Sequence, residues 1–180
     1  MGGNALINAH QLLKMAGVAP GMTVVECGAG HTGHLLFPAA KLVGKTGTVH
    51  GISVLPEDIH MINQHPVCQG ETCLSMLHGD YFRAGGVPLK DGSVDRILLV
   101  NQLYTIKDLD GFASEMRRLL GKTGELWMVD WRADSTHPVA PSQQLRVKTL
   151  PLERELARRG AKTTPLSLGQ HHFVLRAHFP

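Results

Sequence analysis

Glu26-Cys27-Gly28-Ala29-Gly30-His31-Thr32-Gly33 is the stretch on which the reading of this chain turns. It follows Thr23 to Cys27 (TVVEC), a β-branched run that predicts a strand buried on both faces. It leads into a helix predicted over Thr32 to Val43, where Pro38 must either kink the helix or sit in its first turn. Glycines at such a junction let the backbone turn sharply and let a ligand approach with no Cβ in the way. Strand, glycine turn and helix together form the context in which a GxGxxG pattern counts.

Outward from this turn, short apolar runs alternate with amphipathic stretches, as in βαβ units over a mostly parallel sheet. Asn4 to Gly17 predicts a short helix stopped by Gly17 and Pro20. Further strands are expected at Thr48 to Ser53, Ser75 to Gly79, Val94 to Val100 and Glu125 to Trp131. Helices are expected at Glu57 to Gln64, at Asp108 to Leu120 ended by Gly121, and at Gln144 to Arg159 with an interruption at Pro151. Lys162 to Leu168 and His172 to Phe179, parted by Gly169, read as an antiparallel pair at the sheet edge. With no repeat or linker in view, residues 1–180 are expected to form one domain.

With 180 residues, 43% hydrophobic and 18% charged, the composition excludes a disordered chain. No apolar run approaches the ~18 residues that span a bilayer, and no secretory signal is visible, so the cytoplasm is the expected location. Cys27, Cys68 and Cys73 are too few for a disulfide framework. His65, Cys68, Cys73 and His78 echo a zinc knuckle with permuted ligand types, and no metal is expected. The net charge is +3; Arg117-Arg118 and Arg158-Arg159 read as solvated helix faces, and nucleic-acid binding has no particular support. Asp95 reads as structural, opening the fourth strand after the Asp91-Gly92 turn.

The glycine turn alone is shared by dinucleotide enzymes and methyltransferases, and two carboxylates tilt the choice. Glu26 ends the first strand, where it can receive an ammonium group, and Gly79-Asp80 ends the third, where an adenine amino group can donate to it. With these, the ordered runs VVECGAG, FPAAKLVGKTGTVHGI, HGD, PLKDGSVDRILLVN and FASEMRRLLGKTGELWMVDW resemble the class I S-adenosylmethionine-dependent methyltransferases. The resemblance is closest to the ubiquinone/menaquinone-biosynthesis-like, type 11/25 small-molecule branch and covers about Gly21 to Trp131. It implies a doubly wound, Rossmann-like seven-stranded α/β sheet, mostly parallel with an antiparallel last strand. Residues 1–20 would be an N-terminal helix, 21–131 the cofactor-binding core, and 132–180 a C-terminal helix and strand pair. The implied cofactor is S-adenosylmethionine, with S-adenosylhomocysteine as product. Carried over, Glu26, Cys27, Gly28, Ala29, Gly30 and Gly33 surround its methionine and ribose, Ser53 and Val54 stand at the ribose position, and Gly79, Asp80 and Tyr81 face adenine. Asn101 lines the floor near the methyl group.

One departure matters. The family's ribose-binding acid falls at Ser53, which is neutral, and such a loss weakens binding by about tenfold. Glu57 or Asp58 are the carboxylates that can reach back to compensate. His31 and His34 flank the loop as possible ligand contacts. Asn101, Tyr104, Asp130 and His137 are the catalytic candidates, with Trp131 beside them in the acceptor pocket; a general base is needed only if the acceptor arrives protonated. The expected acceptor is a small molecule, and an exposed sheet edge makes a homodimer a natural assembly. Two rivals stay open at this point: a non-catalytic scaffold of the same fold, and an NADP-dependent reductase, which a neutral Ser53 does not exclude.

Overall fold

The structure, a computed structural model, describes residues 6–65 and 73–180. Helix α1 (Ala9–Met15) begins where the Asn8 side chain accepts a hydrogen bond from the Gln11 amide at 2.9 Å, later than the predicted start at Asn4, which lies outside the described residues. Strands β1 (Thr23–Cys27) and β2 (Thr48–Ser53) flank α2 (Leu36–Val43), which carries Pro38 in its first turn, where a missing N–H costs nothing. Helix α3 (Pro56–Asn63) and strands β3 (Leu74–His78) and β4 (Val94–Val100) follow. Helix α4 (Leu109–Leu119) passes directly into β5 (Leu120–Trp131), so the strand starts where a helix end and a Gly121 stop were predicted. The register irregularity between Val94 and Arg96 accommodates this early start. Helix α5 (Thr149–Arg158) holds Pro151 in its first turn, and β6 (Lys162–Leu168) and β7 (His172–His178) close the chain.

The seven strands lie in the order β3-β2-β1-β4-β5-β7-β6. β1 pairs in parallel with β2 and β4, and β7 runs antiparallel to both β5 and β6. The predicted α/β architecture is therefore correct, with β7 inserted inside the sheet and β6 at its edge. Alternate residues along each strand feed two cores. Val24, Leu98 and Val129 pack against α1, α2 and Ile62 of α3. Val25, Ile97, Leu99 and Met128 pack against Phe112 and Met116 of α4 and Leu152 and Leu156 of α5. The chain order reverses between β1 and β4, and in such sheets the carboxyl ends at that switch border the ligand crevice.

Two polar interactions brace this frame. Asp95 accepts the Thr23 amide at 2.8 Å, locking the starts of β1 and β4 together, as expected for a structural residue. Glu115, fully buried on α4, accepts the amides of Gly85 (2.6 Å) and Val87 (2.9 Å) and two bonds from Arg118, at 2.9 and 2.7 Å. Arg118 also donates to the carbonyls of Val87 (2.9 Å) and Leu89 (2.7 Å) and to Asp91 (2.7 Å). Arg118 is thus a clamp on the β3–β4 connection and not the solvated residue its sequence neighbourhood suggested. Arg159 likewise pairs with Asp110 (2.7 Å) and Glu155 (2.8 Å). Burial pushes the Glu115 carboxyl up, but the Arg118 guanidinium and the Val87 and Gly85 amides outweigh it and hold it below the usual range. Replacing Glu115 by Gln leaves Arg118 and two amides poorly matched. We expect a loss of about 3 kcal/mol in stability, read from the urea midpoint at unchanged slope.

Candidate functional site

The glycine turn at the end of β1 has left-handed backbone at Gly28 (φ +70°), Gly30 (+61°) and Gly33 (+62°). The Gly28 amide donates to the Ile52 carbonyl at 2.9 Å, which ties the turn to β2. A Cβ on Gly28 would lie 2.8 Å from the Tyr81 hydroxyl and 3.0 Å from the Gln102 side chain, whereas one on Gly30 would meet nothing within 4 Å. The turn is thus walled by Tyr81 and Gln102 and open over Gly30. Gly33 is buried, and its Cα is covered by the Phe37 ring, which a Cβ would strike at 2.3 Å. Ala29 packs into the α2-side core; Cys27 packs into the other, where burial, reinforced by Glu26 and Glu115, raises its thiol.

Glu26 stands out electrostatically. It is 3% exposed, and its Oε2 has no hydrogen-bond partner among the described residues. Burial raises its carboxyl from 4.5 to about 8. A buried acid without a partner is costly unless it is neutral or meets a cation.

At the end of β2, Ser53 is buried and donates its hydroxyl to Asp58 Oδ2 at 3.0 Å while accepting the Leu55 amide at 3.1 Å. Asp58 Oδ1 lies 3.5 Å from Nδ1 of His31 on the glycine turn. Of the two compensating carboxylates considered, Asp58 is the one joined to Ser53; Glu57 is exposed. Val54 is half exposed beside them. His34 serves the frame, its Nε2 lying 2.8 Å from the Ile7 carbonyl.

At the end of β3, the Gly79 amide donates to the Ser53 carbonyl at 3.1 Å. Asp80 is exposed and accepts the Phe82 amide at 3.0 Å. Tyr81 is buried against Phe82 with ring centroids 4.3 Å apart, and burial raises its phenol. Of the zinc-knuckle set, Cys68 lies outside the described residues, His65 stacks on Phe37 at 4.4 Å, and Cys73 is buried beneath α2. Among the described residues no group of three or more His, Cys, Asp or Glu converges on a metal position.

Past β4, Asn101 has a left-handed backbone (φ +54°) and donates its amide to the Val129 carbonyl at 2.8 Å, turning the chain out of the sheet. The 3₁₀ turn Leu103–Thr105 exposes Tyr104. Asp130 is 3% exposed and accepts the amides of Leu103 (3.0 Å) and Trp131 (2.7 Å), so its carboxylate holds that turn in place. Burial raises it to about 6, against the lowering effect of the two amides. Trp131 pairs in register with His172 and stacks on it at 4.4 Å, and His137 meets His171 edge-on at 4.7 Å.

The structure therefore brings Glu26, Gly28 and Gly30 together at the end of β1, with Tyr81 against Gly28 and Ser53 at the adjacent end of β2; Asn101 and Tyr104 lie past β4, and Trp131 and His137 past β5. Gln102, Glu115, His171 and His172 were not anticipated. Gln102 was signalled by its place beside Asn101. The others depend on pairings between elements distant in the chain.

Comparison with known proteins is consistent with this geometry. The family model described as a methyltransferase domain matches residues 19–160. The arsenite methyltransferase of Aquipseudomonas alcaligenes is 31% identical over 118 residues, 63% of this chain and 34% of that protein. The ubiquinone/menaquinone biosynthesis C-methyltransferase of Laribacter hongkongensis is 30% identical over 161 residues, 89% of this chain and 64% of that protein. The chain spans about a third of the length of the first curated relatives it matches, 35% and 34%. A crystal structure of a SAM-dependent methyltransferase from Aquifex aeolicus superposes with a TM-score of 0.87 at 23% identity, covering 97% of this chain and 91% of that one.

Glu26 makes the free protein pH-sensitive. Because its native carboxyl is raised from 4.5 to about 8, its contribution to stability is complete below pH 4.5 and is lost as pH rises through 8. Glu26→Gln removes that loss. Between pH 5 and pH 9 the variant should gain about 4 kcal/mol on the wild type in urea unfolding; parallel pH profiles would overturn the assignment of the burial to a charge cost.

Proposed function

The chain belongs to the class I S-adenosylmethionine-dependent methyltransferases, and from that premise we propose that it transfers a methyl group from S-adenosylmethionine to a small-molecule acceptor. The observation that carries this reading is the unpartnered, buried Glu26 oxygen beside a glycine turn open over Gly30. An amino-acid ammonium is the group that this carboxyl lacks, and S-adenosylmethionine, which supplies an electrophilic sulfonium methyl when bound, has one. The residues fit it as a set. Glu26 accepts the ammonium and gives up its proton on doing so, since its carboxyl is raised to about 8 in the free protein. The Gly30 backbone admits the chain of the ligand, and Asp80, exposed at the end of β3, is available to an adenine amino group.

The same carboxyl argues against a dinucleotide. In that class a pyrophosphate rests on the glycine turn; it would leave the buried Glu26 carboxyl without a cation and would repel it once ionised.

On the acceptor side, Asp130 acts as a positioning residue through the Leu103–Thr105 turn that carries Tyr104. Val139 donates its amide to Nδ1 of His137 at 3.3 Å, which favours the tautomer with the proton on Nε2. His137 then presents a donor, suited to holding an acceptor oxygen and not to removing its proton. With Trp131 as an apolar wall, this arrangement suits an acceptor that is already nucleophilic as it binds, so that alignment supplies much of the acceleration.

S-adenosylhomocysteine at about 100 times its Kd should stabilise the protein by about 2.7 kcal/mol, raising Tm by roughly 5–10 °C. NADPH at the same concentration should leave Tm unchanged. Calorimetry at pH 7 in buffers of different ionisation enthalpy should report release of close to one proton per ligand bound, a release abolished in Glu26→Gln. A shift with NADPH and none with S-adenosylhomocysteine would reverse the assignment.

A further inference from the structure

We propose that Asp58, on a helix, replaces a strand-end acid as the group that recognises the ribose diol of the bound nucleoside, with Ser53 holding its carboxylate. The inference rests on the proposed cofactor and adds to it the means by which this chain selects a nucleoside with free vicinal hydroxyls.

β1 and β2 are adjacent and parallel, with Cys27 opposite Ile52, so the glycine turn and the Ser53 end of β2 lie side by side at the carboxyl ends of the strands. A nucleoside lying over the glycine turn with its base toward Asp80 passes between them. Ser53 offers no charge there and is 4% exposed. Its hydroxyl is spent on Asp58 Oδ2, at 3.0 Å, and its lone pair on the Leu55 amide, at 3.1 Å. The extended backbone of Leu55 and the Pro56 that opens α3 bring the first helical turn back over the strand end, which is how a residue five positions on returns to Ser53. The N-terminal turn of a helix is also where aligned amide dipoles favour a carboxylate.

Asp58 spans the crevice. Its side chain is 13% exposed, and its Oδ1 approaches His31 Nδ1 at 3.5 Å, beyond a good hydrogen bond, while His31 itself is 59% exposed. An ionised carboxylate offers about four acceptor positions, and Ser53 occupies one of them. The others suffice for two vicinal hydroxyls once the exposed His31 ring rotates aside. A carboxylate in this place repels a phosphate on the 2′ oxygen, the feature that distinguishes NADP from NAD. The neutral Ser53 thus leaves the ribose position charged, because the charge has moved to the next helix.

The test is a double-mutant cycle between protein and ligand, read by calorimetry on the full chain with S-adenosylhomocysteine and its 2′,3′-dideoxy analogue. Asp58→Asn should weaken S-adenosylhomocysteine about 10- to 100-fold, the range for loss of charge-assisted hydrogen bonds. It should change affinity for the dideoxy analogue less than about threefold, since independent sites add and coupled ones do not. Adding Ser53→Asp to Asp58→Asn should restore most of the lost affinity, which a merely misfolded variant cannot do. Equal losses for both ligands, or no loss for either, overturn the role of Asp58 while leaving the cofactor assignment intact. Failure of the wild type to bind S-adenosylhomocysteine overturns both.

Discussion

A buried carboxyl oxygen without a partner, Oε2 of Glu26, is the constraint around which this molecule is arranged. Glu26 lies near the end of β1, an interior strand paired with β2 and β4, and the cost of its burial appears as an acid raised to about 8. Folding tolerates it because the proton neutralises the group and because the residues around it, among them Val24, Val25, Cys27 and Ala29, are buried. The ammonium of the proposed cofactor is a cation that would complete this site.

The remaining architecture keeps the loops around that carboxyl in fixed relation. The Gly28 amide on the Ile52 carbonyl and the Gly79 amide on the Ser53 carbonyl stitch the ends of β1, β2 and β3 into one rim. Glu115 and Arg118 hold the connection after β3 from below, so that Tyr81 stays against Gly28. Asp130 does the same for the turn after β4. In each case a buried charge is satisfied by backbone groups, which gives direction as well as energy and suits a rim that must be preorganised.

The two cores divide this labour. One face of the sheet, packed on α1, α2 and α3, carries the glycine turn and Ser53 with Asp58. The other, packed on α4 and α5, carries the clamp on the β3–β4 connection. Inserting β7 antiparallel beside β5 sets His172 against Trp131, a buried aromatic pair at the carboxyl end of β5. Burial lowers the His172 ring to about 4, and nearby His171 and His137 add to the effect, which keeps this ring uncharged at neutral pH.

What the residues alone determined was local and periodic. TVVEC read as a strand buried on both faces, the glycines after it as a sharp turn, and the alternation of short apolar runs with amphipathic ones was enough for the layered α/β class. Glu26 was legible because it is adjacent in sequence to the turn it serves. The tertiary structure decided everything that depends on pairing across the chain. Leu120 and Gly121 joined a strand because β4 offered a partner, a long-range hydrogen-bond choice that overrode a local stop signal. Arg118 became a clamp because α4 lies against the β3–β4 connection, and Asp130 turned to the Leu103 amide because β4 and β5 are neighbours. Asp58 was visible only as one of two nearby acids; which of them reached Ser53 was set by the direction in which Pro56 launches α3, a matter of backbone geometry that no residue count contains.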